Sequence, residues 1–255
     1  MRADDGFTRS GPPGRGPGDG GGRHGASRPG LALRVLLALA LALGILAGTA
    51  SSPAPAGAQV VRDPILFVHG WNSSASAWNT MIDRFVAAGY PRSRMMAITY
   101  NSNQSNATIA NQVRDAANAL RSQTGAARID IVTHSMGGLS SRYYLKNLGG
   151  TSVVDEWVSL GGPNHGTNTA YACYLFSAGC RDMIGGSSFL NNLNAGDETP
   201  GAVRYGTFWS SCDEVINPDS STLLSGATNV GVGCLGHSAL RTDANVFGRV
   251  RDFVA

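Results

Sequence analysis

Ser135 lies at the centre of the run THSMGG at residues 133–138, between a short apolar segment and an amphipathic one. A sharp turn from a strand into a helix would hold this serine hydroxyl above the edge of a sheet, where it can act as a nucleophile. Such a turn needs small residues two positions before and after the serine. Gly137 meets this need, whereas Thr133 stands where glycine is usual. The alternative is a serine that only caps a helix.

A nucleophilic serine needs a general base, which in one chain order of such sites comes late in the sequence. His237 is the candidate, because it follows the last predicted strand and precedes the final predicted helix. His165 follows an earlier strand and is expected to line the substrate cleft, as is Leu235 beside the base. His134 is expected to point away from the serine hydroxyl. His69 is expected to fix its loop rather than to take part in catalysis.

The third member of such a triad is a carboxylate that orients the base. Asp213 is the first candidate, because it closely follows the fifth predicted strand and its short side chain suits a fixed hydrogen bond to imidazole. Glu214 is the second candidate. Asp219 follows an Asn-Pro pair typical of a turn, and Asp130 lies inside the strand before the nucleophile. The predicted triad is therefore complete, in the order serine, acid, histidine.

Acyl transfer also needs two backbone N–H groups that face the oxyanion of the tetrahedral intermediate. The residue after the nucleophile, Met136, is predicted to supply one of them. The loop after the first predicted strand contains the run FVHGWN at residues 67–72, and Trp71 is predicted to supply the other. Carboxylic esters are the substrates expected for this chemistry.

All four cysteines lie between residues 173 and 234, and an even number in an exported chain predicts disulfides. Four cysteines allow three pairings. Cys173–Cys180 and Cys212–Cys234 are favoured, because each pair closes a short loop. The second pair would also join the loops of the predicted acid and base. A zinc site is the alternative, but no pair has CxxC spacing, and we predict no metal site.

The elements that must position these residues alternate along the chain. Runs typical of buried strands occur at residues 64–68, 94–100, 128–133, 153–160, 203–209 and 229–232, and helical spacing occurs at 75–88, 106–122, 135–148 and 240–254. Parallel strands need crossover helices, so the pattern predicts an α/β fold with about six mostly parallel strands flanked by helices. Ligands bind beyond the carboxyl ends of such strands.

Residues 1–58 differ in composition from the rest. They contain arginines, an uninterrupted apolar stretch at residues 35–47 and the small residues Ala56-Gly57-Ala58, which are the parts of a secretory signal peptide. A membrane anchor is the alternative, although the stretch is shorter than the roughly 20 residues of a membrane span. We predict a signal peptide and leader at 1–58, one catalytic domain at 59–255, and secretion.

The net charge of +3 belongs to that leader, which carries six arginines and three aspartates. Residues 59–255 carry fourteen cationic and fourteen acidic side chains and are formally neutral. Lys146 is the single lysine of the chain. The balance therefore argues against nucleic acid or an anionic surface as a partner.

Taken together, these motifs resemble the small bacterial lipases of the α/β-hydrolase superfamily, the class 2 lipase family. The resemblance rests on VHG at 68–70, HSMGG at 134–138, SSCD at 210–213 and GH at 236–237, and it covers nearly all of residues 63–254. It implies a minimal single-domain fold, hydrolysis of acylglycerols and other esters through an acyl-serine, and no cofactor. The smallest members have no lid, whereas residues 164–202 form a long connection here. We predict that this segment partly covers the acyl cleft.

The leading hypothesis is thus a secreted, monomeric carboxylester hydrolase of the lipase type, which acts on a lipid or small ester and has a lipid–water interface as a possible site of action. An acyltransferase or a polyester hydrolase on the same triad is a second hypothesis. A non-catalytic secreted binding protein is the alternative from another class. Such proteins lose a member of the triad, whereas all three positions are filled here.

Overall fold

The protein was analysed as a computed structural model, which describes residues 62–255. The signal peptide, leader and cleavage site predicted for residues 1–58 lie outside the described residues. Within 62–255, no helix combines the length and the apolar character needed to cross a bilayer.

Six strands form one sheet in which every neighbouring pair is parallel. They are β1 (Ile65–Val68), β2 (Met95–Ile98), β3 (Ile129–His134), β4 (Val154–Leu160), β5 (Arg204–Trp209) and β6 (Thr228–Gly231). Their order across the sheet is β2-β1-β3-β4-β5-β6. The chain therefore reverses its direction of travel between β1 and β3, and the crevice at such a switch point is where open α/β sheets bind ligands.

Helices cover both faces of the sheet. They are α1 (Asn79–Ala87), α2 (Asn106–Thr124), α3 (Gly137–Asn147), α4 (Ala178–Asp182), α5 (Ser188–Asn194) and α6 (Ala244–Phe253). The predicted strands and longer helices are present within a few residues of their expected bounds. The final helix starts later than predicted, because the Asp243 side chain accepts hydrogen bonds from the N–H groups of Asn245 and Val246 and so sets its N-terminus.

The core has two parts, one on each face of the sheet, because successive side chains of a strand point to opposite faces. In β1, Leu66 and Val68 pack with α2 and α3, whereas Ile65 and Phe67 pack with α1 and α6. All four side chains are fully buried. Burial on both faces holds the carboxyl ends of the strands in fixed positions.

Residues 164–202, the long connection of the sequence, have secondary structure of their own. They contain a 3-10 helix (Asn168–Cys173) as well as α4 and α5, and a disulfide joins Cys173 to Cys180. Lys146 on α3 donates hydrogen bonds to backbone carbonyls of this segment, including that of Leu193 at 2.9 Å. Leu190 and Leu193 are buried in the α2–α3 side of the core. The segment is thus anchored to the domain rather than appended to it.

Candidate active site

Ser135, the predicted nucleophile, occupies the turn between the end of β3 and the start of α3. Its φ of 54° lies in the left-handed region, which non-glycine residues rarely adopt. Two glycines allow the loop after β1 to lie close to this turn. A Cβ on Gly137 would clash with the carbonyl oxygen of His69, and a Cβ on Gly70 would lie 2.7 Å from the Cβ atom of Ser135. The turn is therefore the strained strand-to-helix elbow that exposes a serine hydroxyl.

Thr133, which replaces the usual glycine of this turn, is buried within the sheet. Its hydroxyl donates a 2.9 Å hydrogen bond to the backbone oxygen of Val158 on β4. A Cβ on Gly138 would lie 3.5 Å from this hydroxyl oxygen, which is an ordinary contact distance. The neighbouring strand thus accommodates the larger side chain.

His237 and Asp213, the predicted base and acid, lie in the loops after β6 and β5. The Nδ1 atom of His237 is 2.8 Å from Oδ2 of Asp213, and both side chains are almost fully buried. The other oxygen of Asp213 accepts hydrogen bonds from the N–H groups of Val215 and Ile216, both at 2.9 Å. Because Nδ1–H donates to the carboxylate, Nε2 of His237 keeps its lone pair and can act as a base.

Further contacts join the acid loop to the base loop. Glu214, the second candidate for the acid, instead accepts a hydrogen bond from the backbone N–H of His237 at 2.9 Å. Ser210 Oγ accepts a hydrogen bond from the N–H of Leu235 at 2.7 Å. The favoured disulfide between Cys212 and Cys234 is also present. The backbone on each side of the acid–base pair is therefore held to its partner loop.

Gly161, directly after β4, lies against this pair. Its φ is +56°, and a Cβ there would lie 2.9 Å from Oδ2 of Asp213 and 3.2 Å from Nδ1 of His237. The role of this position was not predicted, although a pair of glycines, Gly161-Gly162, ends the fourth predicted strand. A bare backbone is what leaves room for the hydrogen bond between acid and base.

His134, which was expected only to point away from the serine hydroxyl, packs against the proposed base. Its Nε2 atom is 3.0 Å from the backbone oxygen of His237, and the two rings lie 4.4 Å apart. Burial, and then the neighbouring His237, hold the pKa of His134 well below its usual range. It is therefore a neutral imidazole that donates from Nε2–H to the carbonyl behind the proposed base.

His69 fixes the loop after β1. Its Nδ1 atom is 2.7 Å from the carbonyl oxygen of Gly70, its Nε2 accepts a hydrogen bond from the N–H of Tyr100 at 3.3 Å, and its ring stacks on that of Tyr100. Burial lowers the pKa of His69. The loop so held carries Trp71, whose indole Nε1–H donates a 3.1 Å hydrogen bond to Asn103. The backbone N–H groups of Trp71 and Met136 donate no hydrogen bond to another described residue.

A cleft of about 330 Å³ brings these parts together, with Ser135, His134 and His237 in its wall. The segment 164–202 contributes much of the remaining wall, through Thr167, Thr169, Ala170, Ala172, Cys173 and Met183. Trp71, Asn72 and Ser73 line it from the loop after β1. In the described part of the chain, no three His, Cys, Asp or Glu side chains are grouped to hold a metal ion.

Two predicted cleft residues are corrected by the structure, since His165 and Leu235 do not line the cleft. The N–H of His165 bonds to the carbonyl of Ser221, and its exposed ring lies 2.7 Å from Glu198. Leu235 is bonded to Ser210 through both its N–H and its carbonyl, and its side chain packs into the α1–α6 side of the core. Backbone hydrogen bonds direct both side chains away from the cleft, and the position of a residue in the sequence does not reveal such bonds.

The family described as Lipase (class 2) matches residues 62–232. The chain belongs to the class 2 lipase family. This class 2 lipase is therefore an enzyme, a lipase-like serine ester hydrolase, rather than a non-catalytic binding protein.

Solved structures agree with the fold of this class 2 lipase. The mature form of Bacillus licheniformis lipase BlEst2 superposes with a TM-score of 0.65 at 19% identity, over 80% of this chain and 95% of that one. Aspergillus fumigatus lipase B gives 0.62 at 18% identity, over 73% of this chain and 51% of the other. MGS-MChE2, an α/β-hydrolase enzyme from a lagoon-sediment metagenome, gives 0.55 at 17% identity, over 75% and 89%. At these identities the likeness establishes the α/β-hydrolase fold alone.

Proposed function

We propose that this class 2 lipase is a secreted carboxylester hydrolase that works through an acyl-serine intermediate, with Ser135 as nucleophile, His237 as general base and Asp213 as the residue that orients it. The observation that carries the proposal is the buried 2.8 Å contact between Asp213 and His237, beside a cleft that also contains a serine in a left-handed turn.

In the proposed reaction, Ser135 Oγ attacks the ester carbonyl as Nε2 of His237 takes its proton, and Asp213 stabilises the resulting imidazolium. The N–H groups of Trp71 and Met136 donate hydrogen bonds to the oxyanion. The imidazolium then protonates the leaving alcohol. Water, activated by the same histidine, attacks the acyl-serine and releases the carboxylic acid.

The lining of the cleft suits an acyl chain. Its apolar part comes from Ala170, Ala172, Met183, Val215 and Ile216. These side chains can cover the chain of a fatty acid while the reacting carbonyl lies at Ser135. A volume of about 330 Å³ is at the lower end of the range for small-molecule sites.

A lipid–water interface is the proposed site of action. Next to the cleft wall, Tyr171, Tyr174, Leu175 and Phe176 are exposed, and Leu175 is 88% accessible to solvent. The ring of Phe176 lies 6.4 Å from that of Trp71, which lines the cleft. We call residues 171–176 the aromatic rim. Apolar side chains clustered beside an active cleft mark a surface for apolar contact, and a lipid layer supplies both that contact and the substrate.

Secretion and the domain division belong to the same proposal. Residues 1–58 are proposed to be removed as signal peptide and leader, which leaves residues 59–255 as the catalytic domain. The two disulfides support an oxidising compartment, because such bonds are rare in the cytosol.

A fluorescent alkyl phosphonate tests the catalytic proposal, because it reacts with an activated serine. The wild-type protein is expected to take up one label per chain, and Ser135→Ala is expected to take up none and to lose kcat by roughly 10⁴-fold or more. Ser238→Ala removes another serine of the cleft wall and is expected to remain labelled. A wild-type protein that takes up no label, or a labelled Ser135→Ala variant, contradicts the proposal.

A further inference from the structure

Arg241 is a cation in the cleft wall whose side chain forms no hydrogen bond or ion pair with the other described residues. It ends the 3-10 helix His237–Arg241 and lines the cleft beside the proposed base. Its Nε atom is buried with no hydrogen-bond partner in the described part of the chain, where it also takes part in no ion pair. The Nε atom of buried Arg142 also has no partner in that part of the chain, but the Nη atoms of Arg142 donate hydrogen bonds to Asn194 and to the carbonyl of Glu198, whereas those of Arg241 donate to no described residue.

The electrostatic surroundings of Arg241 make this arrangement costly in the free protein. Burial lowers the pKa of Arg241. Of the described residues that line the cleft, Arg241 alone carries a permanent charge, and no Asp or Glu lies among them. A partly desolvated charge without a counter-charge is unfavourable. Groups so placed are found most often at functional sites, where a ligand supplies the missing charge.

The chemistry of the cleft indicates which part of a substrate meets Arg241. In the proposed reaction, the leaving alcohol receives its proton from His237, so it must lie beside that residue. Arg241 belongs to the same short 3-10 helix, and polar Asn72, Ser73 and Ser238 also line the cleft. Apart from Trp71, the apolar lining comes from Ala170, Ala172, Met183, Val215 and Ile216. The alcohol part of the ester is therefore the part that lies nearest to Arg241.

We infer that the cleft accepts esters whose alcohol carries a phosphate group, as in glycerophospholipids, and that Arg241 is the residue that selects them. The inference rests on the proposed function. A planar guanidinium donates parallel hydrogen bonds to phosphate oxygens, and its charge is the complement of theirs. Hydrolysis breaks one carboxylic ester alone: water cleaves the acyl C–O bond to give a fatty acid and the alcohol that carries the phosphate group, and the phosphate ester is unchanged.

The experiment compares two substrates with the same acyl chain, oleoyl glycerol phosphate and mono-oleoylglycerol, in neutral mixed micelles. The ratio of their kcat/KM values is measured for the wild type, Arg241→Gln, Arg241→Lys and the matched control Arg249→Gln, which removes an exposed arginine of α6. The wild type is expected to prefer the phosphate. The ratio is expected to fall at least about tenfold in Arg241→Gln, less in Arg241→Lys, and not at all in the control.

A second measurement needs no variant. Glycerol phosphate, glycerol and inorganic phosphate are compared as inhibitors of nitrophenyl butyrate hydrolysis by the full chain. Competitive inhibition is expected to be strongest with glycerol phosphate. Equal inhibition by inorganic phosphate would assign Arg241 to a free anion and overturn the assignment to a lipid headgroup.

Absence of a preference in the wild type, or an unchanged ratio in Arg241→Gln, also overturns it. Failure of the proposed function gives a different result. In that case hydrolysis of mono-oleoylglycerol survives in Ser135→Ala, whatever the effect of Arg241→Gln.

Discussion

His134 shows how a residue without a chemical step can support one. Its neutral ring packs against His237 and donates to the backbone oxygen of that residue. A protonated ring at this place would repel the imidazolium that forms on His237 during the reaction. The burial that lowers the pKa of His134 therefore keeps a like charge away from the proposed base.

We expect His134→Ala to lower kcat about tenfold or more, because small displacements of a catalytic group are costly. Gln at this position can donate to the same carbonyl oxygen, so His134→Gln is expected to recover part of the rate. The measurement is kcat and KM against pH for a soluble nitrophenyl ester, with His165→Ala as control, because that ring lies outside the cleft. Equal losses in both variants would contradict a positioning role.

Asp130 on β3 affects the stability of the fold rather than the proposed reaction. Its side chain is buried, and one of its oxygens has no hydrogen-bond partner in the described part of the chain. Burial, and then the nearby Glu156, raise the pKa of Asp130 well above its usual 3.8. The folded protein therefore holds a proton that the unfolded chain releases. Stability from this residue is present at low pH and decreases as the pH rises from the unfolded pKa towards the folded one.

Asp130→Asn removes this titration. Its free energy of unfolding is expected to exceed that of the wild type by on the order of 1–2 kcal/mol near pH 8, and the difference should shrink towards pH 4. Urea unfolding across that pH range measures it. Asp83→Asn, an exposed change on α1 with the same loss of charge, is the control. A difference that does not depend on pH would rule out this explanation.

The aromatic rim is proposed to contact lipid. Leu175→Ser with Phe176→Ser is expected to weaken binding to phosphatidylcholine vesicles at least about tenfold, because burial of such a side chain contributes about 1.5–3 kcal/mol. Activity on a monomeric short-chain ester is expected to change little. Val86→Ser, at an exposed apolar residue of α1, provides the control. Equal vesicle binding by rim variant and control would exclude the rim as the lipid contact.

The two disulfides join different elements and are expected to differ in effect. Cys212 and Cys234 are 22 residues apart and join the acid and base loops, so their replacement by Ala is expected to cost about 3 kcal/mol and to lower kcat. Cys173 and Cys180 are 7 residues apart, and their loss is expected to cost less stability. Thermal unfolding and kcat of the two double variants test this order. A larger loss of kcat in the variant without Cys173–Cys180 than in the variant without Cys212–Cys234 would contradict it.

For the whole molecule, the periodicity of apolar residues was sufficient to predict the parallel sheet, since burial on both faces leaves a strong pattern. The long connection 164–202 was harder, because its order depends on distant partners such as Lys146 and on a disulfide. His165 and Leu235 were placed wrongly for the same reason: backbone hydrogen bonds to Ser221 and Ser210 direct them. The approach of Asp213 to His237 was by contrast expected, because both residues follow predicted strands of one parallel sheet.

All six strands, both disulfides and the whole candidate site lie within residues 62–255. A chain that begins at Gln59 is therefore expected to fold and to match the full chain in kcat/KM and in melting temperature. Calorimetry and ester hydrolysis on the two forms test the proposed domain boundary. A shorter chain that is inactive or melts earlier would show that residues 1–58 contribute to the domain.

Gly161 has a consequence for how this sequence can vary. It performs no chemistry, yet any side chain there would combine a left-handed backbone with an atom placed against the Asp213 carboxylate. In a library that samples every amino acid at every position, selection for activity is expected to leave glycine at 161 as unvaried as serine at 135. The position would then be intolerant of mutation because no side chain fits beside the acid and the base, and not because the residue reacts.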